Sequence, residues 1–376
     1  MKKLVLIGGG HAHVEVLRQF GLVPLPDVEI TLVSPDRHTP YSGMLPGLVA
    51  GHYTFEQCHI DLEPLSRFAR ARLVLARATA LDAARQTVRL NNGDELAYDI
   101  ASLDVGSTPI TQGVAGVAEH AIPVKPVRDY LVAWQALCER VSAGTLKSLA
   151  VVGGGAAGVE MLLAMQYRLT QLQLRAMPAY CLITDTRQLL PQHPKLVRAV
   201  LERSLARKSV SVHRGLRVMR LDSGTLVTQD AHQREQRITA DAVVWITGAA
   251  PPAWLGGGWL ALNDKRFIDT NTYLQSTSHA QVFAAGDCAT IAGESYPKSG
   301  VYAVRQGPLL AANLRAVLSG GTLQAYTPQK RALALISTGE RHAIASWGAL
   351  SFHGNWVWLW KDRIDQGFMA KYRDLA

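Results

Sequence analysis

The chain has 376 residues, 48% hydrophobic and 18% charged, an ordinary globular composition with room for two or three compact domains, which excludes a disordered chain. Its net charge of +9 is dispersed, with no Lys/Arg block and no nucleic-acid motif, so it points to an anionic surface and not to a nucleic-acid groove. The four cysteines, Cys58, Cys138, Cys181 and Cys288, stand far apart without a C-x-x-C, which fits a reducing cytosol and argues against a structural zinc; no segment reaches the ~20 apolar residues of a spanning helix, and glycines cut short the run that follows the first lysines.

Residues 3–12, KLVLIGGGHA, read as a strand, a tight turn at Gly8, Gly9 and Gly10, and the start of a helix at His11 and Ala12. Such a turn offers free backbone N–H groups and the positive end of a helix dipole to a pyrophosphate, and a Cβ there would block the close approach. Residues 28–33, VEITLV, are the second strand. An acid commonly ends that strand and holds the adenosine ribose; here Ser34 stands in its place, with Asp36 and Arg37 just beyond, so either Asp36 reaches the ribose or Ser34 replaces the acid. Residues 41–51, YSGMLPGLVAG, begin with Tyr41 and contain no cysteine. Residues 78–99, starting at Ala78, give short strands around the turn Asn91-Asn92-Gly93-Asp94, a β-meander that leads to Val105-Gly106-Ser107-Thr108-Pro109.

The order then repeats. Lys125 lies at the crossing into residues 150–160, AVVGGGAAGVE, a second apolar strand with a full G-x-G-x-x-G at Gly153, Gly155 and Gly158, followed by Glu160. Thr184, beside Asp185 and near Arg187, takes the ribose position of this second unit. Residues 210–239 read as short strands, and 241–245 lead to Ile246-Thr247-Gly248-Ala249-Ala250-Pro251. Two nucleotide turns in one chain mean two nucleotides. Beyond the duplication come residues 281–289, QVFAAGDCA, with Gly286 and Asp287, and then a helix over about 296–307 that includes Gly300 and Val301. Residues 331–376 hold strands at 333–337 and 343–347 and a Trp-rich helical tail.

Two glycine turns, two strand-Gly-x-x-Pro segments and a late F-A-A-G-D in this order resemble the pyridine nucleotide-disulfide oxidoreductase superfamily of two-dinucleotide-binding flavoproteins, in its NADH dehydrogenase-like, quinone-reducing branch. GGGHAHVEVL, SPDRHTPYSGMLPGLVAG and LISTGERHAIASWG are similar, more narrowly, to the flavoprotein found fused to selenide, water dikinase, although no dikinase region is present. The resemblance implies an α/β fold with two Rossmann-like FAD- and NAD(P)-binding domains, each with an inserted β-meander, plus a small C-terminal α+β region. Residues 1–118 and 253–325 would form the FAD domain, 119–252 the NAD(P) domain and 326–376 the C-terminal region with its amphipathic helix. Gly8, Gly9 and Gly10 would contact the FAD pyrophosphate, Ala78 would lie near the adenine and Asp287 would accept a hydrogen bond from the ribityl chain. Gly153, Gly155 and Gly158 would hold NAD(P)H, with Glu160 on the nicotinamide side, and a helix starting at 299–302 would aim its N–H groups at the flavin edge where negative charge collects. His11, Ala12, Ser34, Asp36, Arg37, Tyr41, Gly106, Ser107, Lys125, Thr184, Gly248, Gly286, Gly300 and Val301 complete the expected cofactor-binding set.

The departures are as informative. His13 stands where the fingerprint has Gly or Ala, so helix and strand must pack differently there, and Val301 stands where a glutamine often meets the flavin. The C-x-x-x-x-C pair of the disulfide reductases is absent and no cysteine follows Cys288, which disfavours disulfide and sulfide chemistry, since a thiolate relay needs paired sulfurs. Cys288 reads as buried filler, Cys58 beside His59 as a helix-edge pair, and His11 with His13 as helix-start packing, because two residues apart they face different ways and make no metal site. The function expected is a cytoplasmic FAD enzyme that takes hydride from NAD(P)H and passes electrons to a small-molecule acceptor, a quinone first of all. No protein acid, base or nucleophile is required for that step. The alternatives are a reductase in selenium or sulfur metabolism and a flavin-bound redox sensor with little turnover. In the tail, Trp356, Trp360, Ile364 and Phe368 fall at i, i+4 spacing with Lys361, Arg363, Lys371 and Arg373 nearby, which reads as a helix lying in a membrane interface or, equally, as a face packed on the protein.

Overall fold

In the computed structural model, which describes residues 1–111, 113–172, 174, 176–329 and 331–375, two parallel sheets repeat one plan. The first has the strand order Val282–Ala284, Ile100–Leu103, Lys2–Ile7, Val28–Ser34, Arg72–Leu75. The second has Ile122–Pro123, Ala242–Trp245, Ser148–Val152, Ala179–Thr184, Val210–Arg214. In each, the glycine-ending strand is central and its helix, His11–Leu22 or Ala156–Thr170, returns over one face. Strands covered on both faces read as unbroken apolar runs, and Leu4, Leu6, Ala150, Val151, Val152 and Leu182 are buried accordingly.

Each unit carries a three-stranded antiparallel meander, Ala78–Asp82, Thr87–Leu90 and Glu95–Ala97 in the first, Arg217–Asp222, Thr225–Gln229 and Glu235–Thr239 in the second. Val210–Arg214, read from the sequence together with the second meander, is instead the edge strand of the parallel sheet, paired with Ala179–Thr184. The two units are joined where Thr108–Pro109 pairs antiparallel with Ala249–Ala250. Trp245 Nε1 and Thr247 Oγ1 both donate to the Ile110 carbonyl there, at 2.8 and 2.7 Å, which fixes the crossing.

The helix Gly300–Ser319 packs along His11–Leu22, closest where a side chain at Gly307 would press on Glu15 and Ala12. The C-terminal hairpin sheet has a strand that the sequence reading missed, Leu350–Gly354, beside Ala334–Ser337 and Ala343–Trp347. The final helix, Asn355–Arg373, buries Val357, Trp358, Phe368, Met369 and Tyr372 in the same core as His11–Leu22 and Gly300–Ser319. At about 1.5–3 kcal/mol for each large apolar side chain buried, that face holds the helix to the protein whatever else it touches. Phe368 is therefore core, while Trp356, Trp360 and Ile364 remain exposed. One face of the helix is thus packed on the protein, while Trp356, Trp360 and Ile364 face outward.

Candidate functional site

At the first turn Gly8 has a φ of 95°, and a side chain there would overlap the Asp104 carbonyl; one at Gly10 would overlap the Asp104 carboxyl. Asp104 Oδ2 accepts from the backbone N–H of Ala12 at 2.8 Å and of His13 at 3.3 Å. Sequence reading missed this residue, although an acid closing the apolar run Ile100–Leu103 is the signal that marks it. Burial pushes its carboxyl up to about 7. His13 packs as the altered fingerprint requires: its Nδ1 lies 2.6 Å from the Gly8 carbonyl and its Nε2 2.8 Å from Ser102 Oγ, and burial lowers it to about 4.

Ser107, Lys125 and Asp287, far apart in sequence, meet beside this turn. Lys125 Nζ donates to Ser107 Oγ at 3.0 Å and to Asp287 Oδ2 at 3.2 Å, and the Ser107 hydroxyl donates to Asp287 Oδ2 at 3.1 Å. His11 completes the group. Burial lowers it to about 4, with Asp287 and Lys125 close enough to act on it, so it is neutral. Its Nε2 is shut off from solvent without a hydrogen-bond partner, and Tyr41 meets the ring edge-on at 5.4 Å. A side chain at Gly300 would stand 3.0 Å from Ser42 Oγ and 3.5 Å from the His11 ring, so the Gly300–Ser319 helix begins against the same spot.

The remaining expected residues lie at the margins. Ser34 is buried and donates to the Asp36 carbonyl at 2.7 Å, Asp36 pairs with Arg128 at 2.8 Å, and Arg37 is committed to Asp61 and Glu63 at 2.7 and 2.6 Å. Ala78 opens the meander, Gly106 has a φ of 69°, Gly248 accepts from Ile110 N–H at 2.8 Å, and Val301 is 39% exposed. In the second turn, side chains at Gly153 and Gly158 would overlap the carbonyls of Ile246 and Gly153, whereas one at Gly155 would meet no protein atom within 4 Å. Thr184 is buried and tied to the Thr186 hydroxyl at 2.8 Å. Among the described residues the thiols are free, and burial pushes Cys58 and Cys288 up to about 12 and Cys138 and Cys181 up to about 11, so none is a ready thiolate.

Glu160 faces the C-terminal hairpin. Its Oε1 accepts from Ser337 N–H at 2.7 Å, and burial pushes it up to about 7 against the pull of Lys361. Lys361, expected on the polar side of the tail, is buried, donating to the Gly43 carbonyl at 2.6 Å and to Asp365 at 2.5 Å.

The family model described as pyridine nucleotide-disulphide oxidoreductase matches residues 2–307. The chain belongs to this family. Within it the chain stands in the NADH dehydrogenase-like branch, an enzyme class whose cofactors are FAD and NAD(P)H. It is 28% identical over 276 residues, 70% of the chain and 66% of the relative, to demethylphylloquinone reductase NdbB of Synechocystis, and 24% identical over 296 residues, 77% of the chain and 78% of the relative, to the NADH dehydrogenase-like protein YutJ of Bacillus subtilis. Its fold is that of NDH2 from Plasmodium falciparum in complex with NADH (TM-score 0.84, 14% identity, 98% and 97% of the two chains) and of the sulfide:quinone oxidoreductase of Aquifex aeolicus (TM-score 0.82, 18% identity, 100% and 92%). The first turn fits a dinucleotide, since the His11 Nε2 is an orphaned buried polar atom and the residues around it supply both donors and acceptors.

Glu160 gives a stability prediction. Because its folded-state value is raised from 4.5 to about 7, the stability it contributes is present at low pH and is lost as pH rises toward and through 7. Glu160→Gln keeps an acceptor for Ser337 and cannot ionise, so the variant should match the wild type near pH 4.5 and be more stable by up to about 3 kcal/mol above pH 7. Thermal unfolding across that range checks it; parallel curves would mean that Glu160 does not titrate in the fold.

Proposed function

We propose that this protein is a membrane-surface NAD(P)H:quinone oxidoreductase, with FAD held at the Gly8–Gly10 turn and the Ser107–Lys125–Asp287 cluster, and NAD(P)H at the Gly153–Gly158 turn. When bound, FAD supplies a two-electron carrier between NAD(P)H and the acceptor. The protein's part is placement. Lys125 and Ser107 orient the Asp287 carboxylate as an acceptor for the ribityl hydroxyls. The neutral His11 offers its unpartnered Nε2 to the same ligand. The N-terminus of Gly300–Ser319, which begins against His11, would offer its positive end to the bound flavin. Raised thiols on all four cysteines give no sulfur relay, which favours direct transfer to an acceptor over the sulfur alternative.

The observation that carries the quinone reading is the outer face of the C-terminal region. Trp347, Leu350, Phe352, Trp356, Leu359, Trp360 and Ile364 are exposed by 39–61%, with Trp356 and Trp360 stacked, centroids 6.5 Å apart. The next turn of the same helix carries Phe368, turned inward and stacked on Tyr41 at 4.3 Å, next to His11. One helix thus joins an apolar outer face to the expected flavin pocket, an arrangement suited to a lipid-soluble acceptor. No described helix is long and apolar enough to cross a membrane, so the contact proposed is peripheral, on the cytoplasmic side, with tryptophan at headgroup level. The relatives named for demethylphylloquinone, in Synechocystis, and for NAD(P)H-ubiquinone, in Arabidopsis thaliana at 23% identity over 77% of the chain, support the same class of acceptor.

Two variants test the two halves. Gly155 opens onto empty space, so Gly155→Val should fold, keep its yellow colour and lose reduction by NAD(P)H at least about tenfold, as a side chain there blocks the pyrophosphate approach. Loss of flavin as well would mean that the two units are not separable. Trp356→Glu with Trp360→Glu should keep flavin content and turnover with ferricyanide or a water-soluble quinone, and should stop sedimenting with anionic liposomes that retain the wild type. A wild type that ignores such liposomes would refute the membrane contact.

A further inference from the structure

Asp104 sets the first nucleotide unit apart from the second. Its N–H donates to the Ile7 carbonyl at 2.9 Å, as that of Ile246 donates to the Val152 carbonyl at 2.8 Å, and its own carbonyl presses on Gly8 as that of Ile246 presses on Gly153. The two residues occupy the same place in the two units, one acidic and one apolar. Two glycine turns from distant parts of the chain close over the acid: a side chain at either Gly10 or Gly286 would overlap the Asp104 carboxyl. These are the turns proposed above to receive FAD.

The placement creates a conflict. The carboxylate already supplies an anion to the first N–H groups of His11–Leu22, and a pyrophosphate brought to the same turn adds negative charge beside it. No cation among the described residues answers both. The side chain whose charge acts on Asp104, Asp287, is itself acidic, and its partner Lys125 is shared with Ser107. His13, packed on the turn, is held neutral between the Gly8 carbonyl and Ser102, and the buried Cys288 thiol is neutral. Lys298, close enough to feel Cys288 and Asp287, is committed to the Ala289 carbonyl and the Thr290 hydroxyl. A proton is the one counter-charge that fits.

We propose that FAD binds this protein with Asp104 as the neutral carboxylic acid, so that binding takes up one proton from solvent and Asp104 makes flavin retention pH-dependent. The carboxylate gains a proton, no electron moves and no bond to the cofactor forms. In the acid form Oδ2 still accepts from Ala12 and His13, and the field of the helix end is released to act on the pyrophosphate. Burial, helped by the charge of Asp287 and opposed by the N–H groups of Ala12 and His13, already brings the carboxyl up to about 7 without any cofactor charge, so the proton is within reach at physiological pH. Asp104 is a positioning residue in this scheme, since it acts on the cofactor through the turn.

The inference rests on the FAD site proposed above, and one calorimetric experiment separates the two. The full chain stripped of flavin is titrated with FAD between about pH 6 and 9 in two buffers of different ionisation heat. Above neutral pH, one proton should be taken up per FAD, and the dissociation constant should rise about tenfold per pH unit, the slope required when only the protonated form binds. Asp104→Asn should abolish the proton uptake and flatten the pH dependence while keeping the acceptor for Ala12. A wild type that binds FAD with a flat dissociation constant and no proton uptake overturns the inference and leaves the FAD site standing, as does an Asp104→Asn variant with the wild-type slope. Failure to bind FAD at any pH overturns both. If Asp104→Asn does not fold, the wild-type proton count alone decides.

Discussion

In both units a backbone carbonyl of the neighbouring strand presses against the first glycine of the nucleotide turn, Asp104 on Gly8 and Ile246 on Gly153. That contact leaves no volume for a Cβ and holds the turn in a left-handed or extended positive-φ conformation, φ 95° and 135°. Once the turn is fixed, the direction of the following helix and the place of its positive end are fixed with it. The glycines at these points are demanded by the protein's own packing before any ligand is considered. Gly155 differs, since nothing of the protein occupies the space beyond it, and it alone among the second-turn glycines reads as a position kept clear for a ligand.

The C-terminal segment ties the two units together. Glu160 of the second unit meets Ser337, Lys208 pairs with Glu340 at 2.6 Å, and on the first unit Lys361 reaches Gly43 while the Tyr372 hydroxyl donates to Glu15 at 2.9 Å. Buried charges such as Lys361 and Asp365 are costly to desolvate, so they are poor candidates for the source of stability. The apolar face of Asn355–Arg373 supplies that. The ionisable groups instead fix contacts, Glu160 to Ser337 of the hairpin and Lys361 to Asp365 and the Gly43 carbonyl.

Much of this was legible in the sequence because it is written in local pattern. Apolar runs ending in glycine gave the central strands, their turns and their helices, and the repeated order gave the duplication. The Asn92-Gly93 turn marked the first meander. What the sequence concealed depends on non-local contact. Val210–Arg214 carries an alternating pattern that suits a meander or a parallel edge equally, and only pairing with Ala179–Thr184 decides it. Phe368 has the same spacing as Trp356, Trp360 and Ile364, yet it turns inward because Tyr41, distant in sequence, stacks on it. Lys361 passes for a solvated charge until the Gly43 carbonyl and Asp365 are brought to it. Asp104, an acid at the end of a strand, gains its meaning from two glycine turns, at Gly10 and Gly286, that are distant in the chain.

The central claim is that one chain holds a flavin and a nicotinamide nucleotide in two separate units and passes electrons from the second to the first. Anaerobic titration of the purified full-length protein with NADH and with NADPH, followed by absorbance in the flavin band, tests it most directly. The account predicts one FAD per chain, bleached by about one equivalent of at least one of the two nucleotides and restored by a quinone. Protein that carries no flavin after reconstitution, or flavin that neither nucleotide bleaches, would contradict it.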